Sequence, residues 1–340
     1  MTAVAARSVR DVADAALGWV RAHRGEFALG AAALAPDGQV DRTWKPLGEL
    51  TQVCATVRRR TAPEDPSHLL ARDLLDFAWR QTGHGELFLA LQRQEPFATY
   101  PLEVYAAFAA AGLRHPGYEA AAATVARTRG WRRTEQHPTR RLGLLSAERH
   151  TRIHRPGPPE AVLDTTWLGG LPEPWTFERS AGYALTHVVF HLTDWGRAAQ
   201  GGAPPALADY LTHWLPPWLD TCLEARMWDL SCELLAVAAS VPGLAESTGS
   251  AVLREAWSRI AAAQHPSGAV AEEGAFETEH LDPGEDFTHC YHSTLMAAFA
   301  ATLATATPAT ATPAPAAAPA RPAGPGVDPD HRSSGQGALG

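Results

Sequence analysis

Residues 291–304 read YHSTLMAAFAATLA, and after His292 nearly every side chain in this stretch is apolar or small. A helix that is apolar on all sides is buried on all sides. Residues 101–113 (PLEVYAAFAAAGL) and 229–241 (DLSCELLAVAASV) have the same character, with their charged residues near the start. We therefore expect several helices that pack entirely inside the protein.

Other segments carry apolar residues at helical spacing on one face and charged residues on the other, which is typical of helices that cover a core. These segments span 9–23, 69–79 and 252–264, and residues 181–195 also have helical spacing but are nearly uncharged. Clusters of Pro, Gly and Asp separate them, and the alternating pattern of β-strands is scarce. The sequence predicts an all-α fold.

The helices also recur in pairs, an amphipathic helix followed by one rich in alanine. About five degenerate pairs can be traced: 9–24 with 44–58, a unit from Leu87 through 113, 159–170 with 180–195, 205–222 with 228–240, and a unit from Trp257 through 304. An outer ring of amphipathic helices around an inner ring of buried ones is an α/α toroid. We expect this fold for residues 8–304, with an irregular helical solenoid as the alternative.

Composition narrows the class of protein. The chain has 340 residues and a formal net charge of −8, which disfavours sequence-independent binding to nucleic acid. No apolar run is long enough to span a membrane, and we see no export signal at the start of the sequence. Four cysteines do not make a disulfide scaffold in a chain of this length. We expect a soluble, cytoplasmic protein, with a disordered tail rich in Pro and Ala at 305–340.

Ionisable side chains stand near the starts of the otherwise apolar helices. Because all inner helices of a toroid run in the same direction, their first turns meet at one end. The residues that this places together are Lys45, Glu49, Glu103, His187, Asp229, Cys232 and His292. Buried charges are costly unless they are paired or bound to metal, so such a meeting point predicts a pocket.

The stretch Gln264–Gly268, followed by Tyr291-His292, resembles the last repeat of the superfamily that includes protein-prenyltransferase β-subunits and terpene cyclases. Lanthionine cyclases share the same toroid. The resemblance implies a zinc-binding histidine at His292, with Asp and Cys ligands about sixty residues earlier. Asp229 and Cys232 lie 63 and 60 residues before His292. The whole chain also resembles a group of actinobacterial proteins, which implies no particular chemistry.

Asp229, Cys232 and His292 are suitable ligands for a borderline-soft ion such as Zn²⁺. Three protein ligands leave a fourth position open for water or substrate, as in catalytic zinc sites. A rival set is His187, His191 and Asp194, which share one helix face.

Lys45 is the only lysine among 29 basic residues, which suggests a role that arginine cannot take. We expect Lys45 to hold an anionic group of the substrate, with Glu49 or Glu103 as a base and His187 as a general acid or base. The alternative for Lys45 and Glu49, four residues apart, is a simple ion pair.

These features favour a metal-assisted enzyme of transferase or cyclase type, with zinc as the expected ion. Its substrate would be an apolar, isoprenoid-like small molecule or a modified peptide in specialised metabolism. The alternative is a non-catalytic helical-repeat protein that binds a ligand or peptide.

Overall fold

The computed structural model describes residues 8–35, 40–153, 157–198, 202–275 and 283–305. These ranges contain helices and turns and no β-strand, so the all-α prediction is confirmed. None of the helices within them is long and apolar enough to cross a membrane. Thr305 is the last residue of the final helix, and the rest of the tail predicted to be disordered, 306–340, lies outside the described residues.

The described ranges hold fifteen α-helices and four short 3-10 helices. The α-helices are α1 (Val9–Ala22), α2 (Trp44–Arg60), α3 (Pro66–Gln81), α4 (Glu86–Gln94), α5 (Tyr100–Ala110), α6 (Pro116–Ala126), α7 (Trp131–Thr134), α8 (Pro138–Thr151), α9 (Glu160–Leu163), α10 (Arg179–Thr193), α11 (Pro205–Glu224), α12 (Trp228–Ser240), α13 (Leu244–Thr248), α14 (Ser250–Ala263) and α15 (Pro283–Thr305). The 3-10 helices are Arg24–Phe27, Ala31–Leu34, Val40–Arg42 and Pro174–Thr176.

Local sequence determines where several helices begin. At α1, the Ser8 hydroxyl accepts from the Asp11 backbone N–H, and the Asp11 carboxylate accepts from the Ser8 backbone N–H. This reciprocal capping satisfies donors that have no partner inside the helix. At α3, Asp65 caps the Ser67 backbone N–H, and Pro66 takes the first helical position, where no N–H is needed.

Six helices form a closed cycle of contacts. Each of α2, α5, α8, α10, α12 and α15 packs against the next, and α15 packs against α2. We call these six the inner helices. Helix α1 packs on α15 and α3, α3 packs on α2, and α11 and α14 pack on α12. The most polar inner helix, α8, has no counterpart among the segments that the sequence pattern selected.

The pairing of the helices differs from the predicted one in places. The contacts of α11 with α12 match the expected pair. The expected pair 9–24 with 44–58 is wrong, because α2 packs mainly on α3 whereas α1 packs mainly on α15. Several helices have similar apolar faces, so the sequence pattern does not determine which two helices pack together. The lengths of the connections and the packing of the whole fold determine the pairing.

Neighbouring inner helices meet at corresponding heights. A Cβ atom on Gly48, the fifth residue of α2, would lie 3.0 Å from Val104, the fifth of α5. A Cβ on Gly182 in the first turn of α10 would lie 2.7 Å from Leu230 in the first turn of α12. These helix pairs therefore run in the same direction. We call the end where their first turns meet the mouth.

The opposite end is tied together by the turn that follows α10. Arg59, near the end of α2, donates to the Trp195 carbonyl oxygen at 3.4 Å. A Cβ on Gly196 would lie 2.9 Å from Leu303, near the end of α15. The last turns of α2 and α15 thus converge on one turn, so the interior of the cycle is bounded at this end.

Small side chains let the inner helices approach closely. Every residue of α15 from Leu295 through Ala301 is at least 99% buried, and α12 is buried along nearly its whole length. This confirms the prediction that the alanine-rich segments 229–241 and 291–304 lie inside the protein. Dense packing of this kind leaves room for polar atoms only where they are paired.

The Gln264–Gly268 stretch fastens α1 to the core. The Gln264 side chain donates to the carbonyl oxygens of Val12, at 3.1 Å, and of Gly268, at 2.9 Å. Gly268 has φ +97°, and a Cβ there would lie 2.0 Å from the Ala15 carbonyl oxygen. Only glycine fits both the backbone conformation and this close approach.

Substitution Gly268→Ala is therefore expected to lower the free energy of unfolding by about 3 kcal/mol, since both strain and backbone displacement result. Urea denaturation followed by circular dichroism measures the change. Gly18→Ala is the matched control, because Gly18 lies inside α1 with nothing within 4 Å of its Cβ position. This control should gain roughly 0.5–1 kcal/mol from helix propensity. Equal stability of the two variants would contradict the assigned role of Gly268.

Candidate metal centre and adjoining cavity

At the mouth, an imidazole lies among three carboxylates from two other helices. His292 of α15 has Nδ1 2.8 Å from Glu49 Oε2 of α2. Its Nε2 lies 3.2 Å from Glu233 Oε1 and 3.5 Å from Asp229 Oδ1, both of α12. Asp229 and Glu233 are four residues apart, so one face of α12 presents both. The prediction that distant segments bring charged side chains together holds for Glu49, Asp229 and His292.

Asp229, Glu233 and His292 each have one polar atom that is already hydrogen-bonded to another side chain of the cluster's surroundings. The Tyr183 hydroxyl donates to Asp229 Oδ2 at 2.7 Å, and the Thr186 hydroxyl donates to Glu233 Oε2. Both donors belong to α10. Glu49 holds Nδ1 of His292. Three inner atoms then face one another: Asp229 Oδ1, Glu233 Oε1 and His292 Nε2.

One of these inner atoms has no hydrogen-bond partner. Asp229 is 2% exposed, and its Oδ1 is buried without a hydrogen bond to any described residue. Burial raises the pKa of Asp229 to about 6, with Glu233 adding to the rise and His292 opposing it. An unsatisfied buried carboxylate oxygen is rare and calls for an explanation, such as a water or an ion at this position.

The electrostatics of His292 reflect the same excess of negative charge. Burial alone would lower its pKa, but the carboxylates of Glu49, Asp229 and Glu233 outweigh burial and hold the pKa well above its ordinary value. Burial would raise the pKa of Glu233, yet its hydrogen bond with His292 and the nearby imidazoles lower it. The cluster thus has three acidic groups and one imidazolium. A divalent cation that replaced the proton on Nε2 would bring more positive charge to these carboxylates.

Asp229, Glu233 and His292 form a group that could hold a metal ion. One ligand atom from each lies within 4.8 Å of the others. Glu233 takes the place expected for Cys232. The Cys232 side chain is fully buried, and burial, together with Asp229 and Glu233, raises its thiol pKa well above the ordinary value. The group of facing ligand atoms does not include the Cys232 thiol. The i, i+4 spacing from Asp229 was the signal that could have identified Glu233.

The rival set His187, His191 and Asp194 does not form such a group in the described part of the chain. His187 Nδ1 lies 2.7 Å from the Tyr183 carbonyl oxygen. Asp194 follows the end of α10 and turns away to His150, whose Nε2 lies 2.6 Å from its Oδ1. The spacing of the three residues places them on one face of a continuous helix. Because α10 ends at Thr193, Asp194 does not continue that face.

Three of the residues predicted to act on substrate, Lys45, Glu49 and Glu103, line one cavity. Lys45 is exposed at its rim and forms no ion pair with a described residue, so the simple pair with Glu49 does not form. Glu49 instead contacts His292. Glu103 Oε1 accepts from Arg140 Nη2 at 2.8 Å, and burial raises the pKa of Glu103 despite this partner. His187 does not line the cavity, although its charge acts on both Glu103 and Glu233.

This cavity has a volume of about 220 Å³ and lies among α2, α5, α8 and α10. Small and apolar side chains form much of its wall, including Val104, Ala107, Ala110 and Ala147. Glu49 belongs to both the cavity wall and the charged cluster. The cavity and the candidate metal centre are therefore neighbours. The sequence did not predict Arg140 or His191 as part of its lining, because nothing in the sequence pattern selected α8 and His191 was considered only as a metal ligand.

Comparison with known proteins identifies one family. Residues 13–302 match the family model described as "Domain of unknown function (DUF6895)". Neither the search of curated proteins nor the search of solved structures found a match. The family match implies no activity, so the resemblance to prenyltransferases and terpene cyclases remains a prediction.

His191 provides a test of the electrostatics of the cavity. Burial lowers its pKa to about 3, with the charges of His187 and Arg140 adding to the effect, while Glu103 of α5 also lies nearby. The unfolded chain therefore binds a proton at His191 below about pH 6.5, whereas the folded chain does not, so stability is lost as the pH falls through this range.

When the pH is lowered from 7 to 5, the free energy of unfolding should fall by about 1–2 kcal/mol more in the wild type than in His191→Gln. Urea denaturation at both pH values measures the difference. His213→Gln is a suitable control, because His213 lies on the exposed side of α11. Parallel pH profiles for wild type and His191→Gln would show that His191 is not held neutral.

Proposed function

We propose that this chain, which belongs to the DUF6895 family, is a metal-assisted enzyme whose substrate is a small molecule bound in the cavity beside the mouth. The closed cycle of inner helices, in which α2 and α5 run in the same direction, as do α10 and α12, supports an α/α toroid as the fold that holds this site. The observation that carries the proposal is the set of three facing atoms, Asp229 Oδ1, Glu233 Oε1 and His292 Nε2, with Asp229 Oδ1 buried and without a hydrogen bond to any described residue.

The surroundings of the three ligands support metal binding over a purely structural ion pair. In metal sites, a ligating histidine commonly donates its second ring N–H to a carboxylate, and ligating carboxylates are themselves hydrogen-bonded. Glu49, Tyr183 and Thr186 occupy these supporting positions here. They bind one atom of each ligand, and the remaining atoms, Asp229 Oδ1, Glu233 Oε1 and His292 Nε2, face one another, with Glu233 Oε1 and His292 Nε2 hydrogen-bonded at 3.2 Å.

The donor set of two carboxylates and one imidazole suits a divalent first-row ion, with Zn²⁺ as the first candidate. When bound with three protein ligands, such an ion supplies Lewis-acid activation of water or of a substrate oxygen at an open position. Glu49 fixes the orientation of His292. Arg140 and Lys45 provide positive charge at the cavity, and Glu103 provides a carboxylate that burial makes more basic.

The size and lining of the cavity bear on the substrate. Its volume of about 220 Å³ and its wall of small apolar side chains favour a small, largely apolar molecule over a peptide. Isoprenoid-like chemistry and a place in specialised metabolism remain part of the proposal through the resemblance alone.

Metal binding is the first test. Chelator-treated wild-type protein is expected to bind one equivalent of Zn²⁺, measured by isothermal titration calorimetry and by elemental analysis after gel filtration. Asp229→Asn, Glu233→Gln and His292→Gln should each weaken binding by more than about 100-fold, and Glu49→Gln by about 10- to 100-fold. Cys232→Ala discriminates between the two ligand sets, since it should retain binding if Glu233 is the ligand.

Loss of binding in Cys232→Ala with retention in Glu233→Gln would replace the proposed ligand set by the one that the resemblance implies. A wild-type protein that is well folded and binds no Zn²⁺ would overturn the proposal. The non-catalytic ligand-binding protein would then be the better interpretation.

Catalysis is tested separately. Wild-type protein loaded with Zn²⁺ is expected to convert a component of a small-molecule cell extract, followed by untargeted mass spectrometry. Glu233→Gln should abolish the conversion, whereas the distant substitution Gly18→Ala should leave it unchanged. Conversion that persists in Glu233→Gln would separate the activity from the metal centre.

A further inference from the structure

A second cavity lies between α1 and α14, beside the second half of α12 and the end of α15. Its volume is about 960 Å³, and its wall includes Val9 of α1, Leu235 of α12, Trp257 of α14 and Ala304 of α15. No described residue of this wall belongs to the first cavity or to the candidate metal centre. An inference about the second cavity is therefore independent of the proposed function.

The wall of the second cavity is mostly apolar. Leu253, Trp257 and Ala261 follow one another at intervals of four residues, so they form one stripe on α14. Alanines line much of the remaining surface, namely Ala238, Ala239, Ala245, Ala262 and Ala304. Larger side chains would fill such a space in a close-packed interior, and an accessible apolar surface with a polar edge is typical of a ligand groove.

A polar stripe on α14 runs beside the apolar one. Ser250, Arg254 and Ser258 line the cavity and are also four residues apart. Arg254 is exposed, forms no ion pair with a described residue, and is the single charged side chain among the described residues of the wall. The adjacent Glu255 is exposed and does not line the cavity. The edge of the cavity therefore has an uncompensated positive charge.

Trp257 adds a hydrogen-bond donor to the same wall. Its side chain is 8% exposed, and its indole N–H donates to no described residue, although a buried Trp N–H usually has a partner. The other polar side chains of the wall, Ser8 and Gln264, are already hydrogen-bonded within the protein. The described wall thus offers donors and no carboxylate, which favours a ligand with an anionic group.

A single acyl chain with a carboxylate head group matches this arrangement. The guanidinium of Arg254 offers one positive charge and can bind a carboxylate through two N–H groups. A phosphate monoester would bring nearly two negative charges to the same single cation. A peptide would bring backbone N–H and C=O groups that the alanine-rich wall cannot pair. An acyl chain has no such groups, and about 960 Å³ lies near the upper end of the volumes of ligand cavities.

We propose that the second cavity binds a fatty-acid-like molecule, with its carboxylate at Arg254 and its acyl chain along Leu253, Trp257 and Ala261. Ser250 and Ser258, one turn to either side of Arg254, can donate further hydrogen bonds to the carboxylate. Because the site shares no residue with the candidate metal centre, binding is expected with or without Zn²⁺.

Three probes separate the contributions of chain and head group: decanoate, hexanoate and decylammonium. Isothermal titration calorimetry on the full-length protein at pH 7 measures their dissociation constants. Decanoate should bind at least about tenfold more tightly than hexanoate, since each buried CH₂ group can tighten binding up to about fourfold. It should also bind at least about tenfold more tightly than decylammonium, because only the anion pairs with Arg254. Non-specific attraction would favour the cation, since the chain has a formal net charge of −8.

Two substitutions locate the site, each with a matched control. Arg254→Gln should weaken decanoate binding at least about tenfold, whereas Arg132→Gln removes an exposed arginine of α7 and should have no effect. Ala261→Leu fills part of the cavity and should weaken decanoate binding by a similar factor. Ala251→Leu changes an exposed position of the same helix outside the wall and should bind decanoate like the wild type.

Several results would overturn the proposal. They are equal affinity for decanoate and decylammonium, hexanoate that binds as tightly as decanoate, and no saturable binding of decanoate below its micelle concentration. Unchanged decanoate affinity in Arg254→Gln would also overturn it, and this variant decides the outcome if Ala261→Leu does not fold, because Arg254 is exposed.

Gel filtration tests a different occupant of the cavity. A wild-type dimer that becomes a monomer in Ala261→Leu, but not in Ala251→Leu, would show that a second copy of the chain covers this surface. The proposal of a fatty-acid site would then be wrong. We expect the four variants and the wild type to elute at the same volume.

Discussion

The arrangement of this protein depends on how it compensates negative charge buried at the mouth. Glu49, Asp229 and Glu233 come from two inner helices whose bodies are apolar, and His292 from a third lies among them. A buried carboxylate without a partner is costly, so the helices must hold the positions that pair these groups. Tyr183 and Thr186 add hydrogen bonds from α10. Four of the six inner helices are therefore joined through one polar network.

Small side chains make this convergence possible and also create the cavity. Gly48 allows α2 to approach α5, and Gly143 allows the side chains of His191 and Glu103 to approach the α8 backbone. Along α12 and α15, alanines give close contact over the length of both helices. Close packing would fill the interior if larger side chains stood at these positions. The same residues thus bring the charged groups together and leave space beside them.

The two types of polar group in the interior have different electrostatic roles. At the candidate metal centre the carboxylates outnumber the imidazole, so the pKa of His292 is held high. In the cavity His191 has positive neighbours and is buried, so its pKa is held low. Two histidines on inner helices consequently differ in charge at neutral pH. This contrast divides the interior into a part suited to a cation and a part in which an imidazole is held neutral.

The all-α class, the burial of the alanine-rich helices and the meeting of Glu49, Asp229 and His292 could be predicted from the amino-acid sequence, because they follow from periodicity and from the cost of burying unpaired charge. The position of His292 at a helix start was predicted wrongly, because α15 begins at Pro283 and His292 lies in its third turn. The sequence did not predict α8, whose arginines resemble a surface helix until Arg140 is paired with Glu103 and Glu135. It also did not distinguish Cys232 from Glu233, since both lie about one turn from Asp229. Only the tertiary structure decided between them, because the rotation of α12 relative to α15 determines which of the two side chains reaches His292.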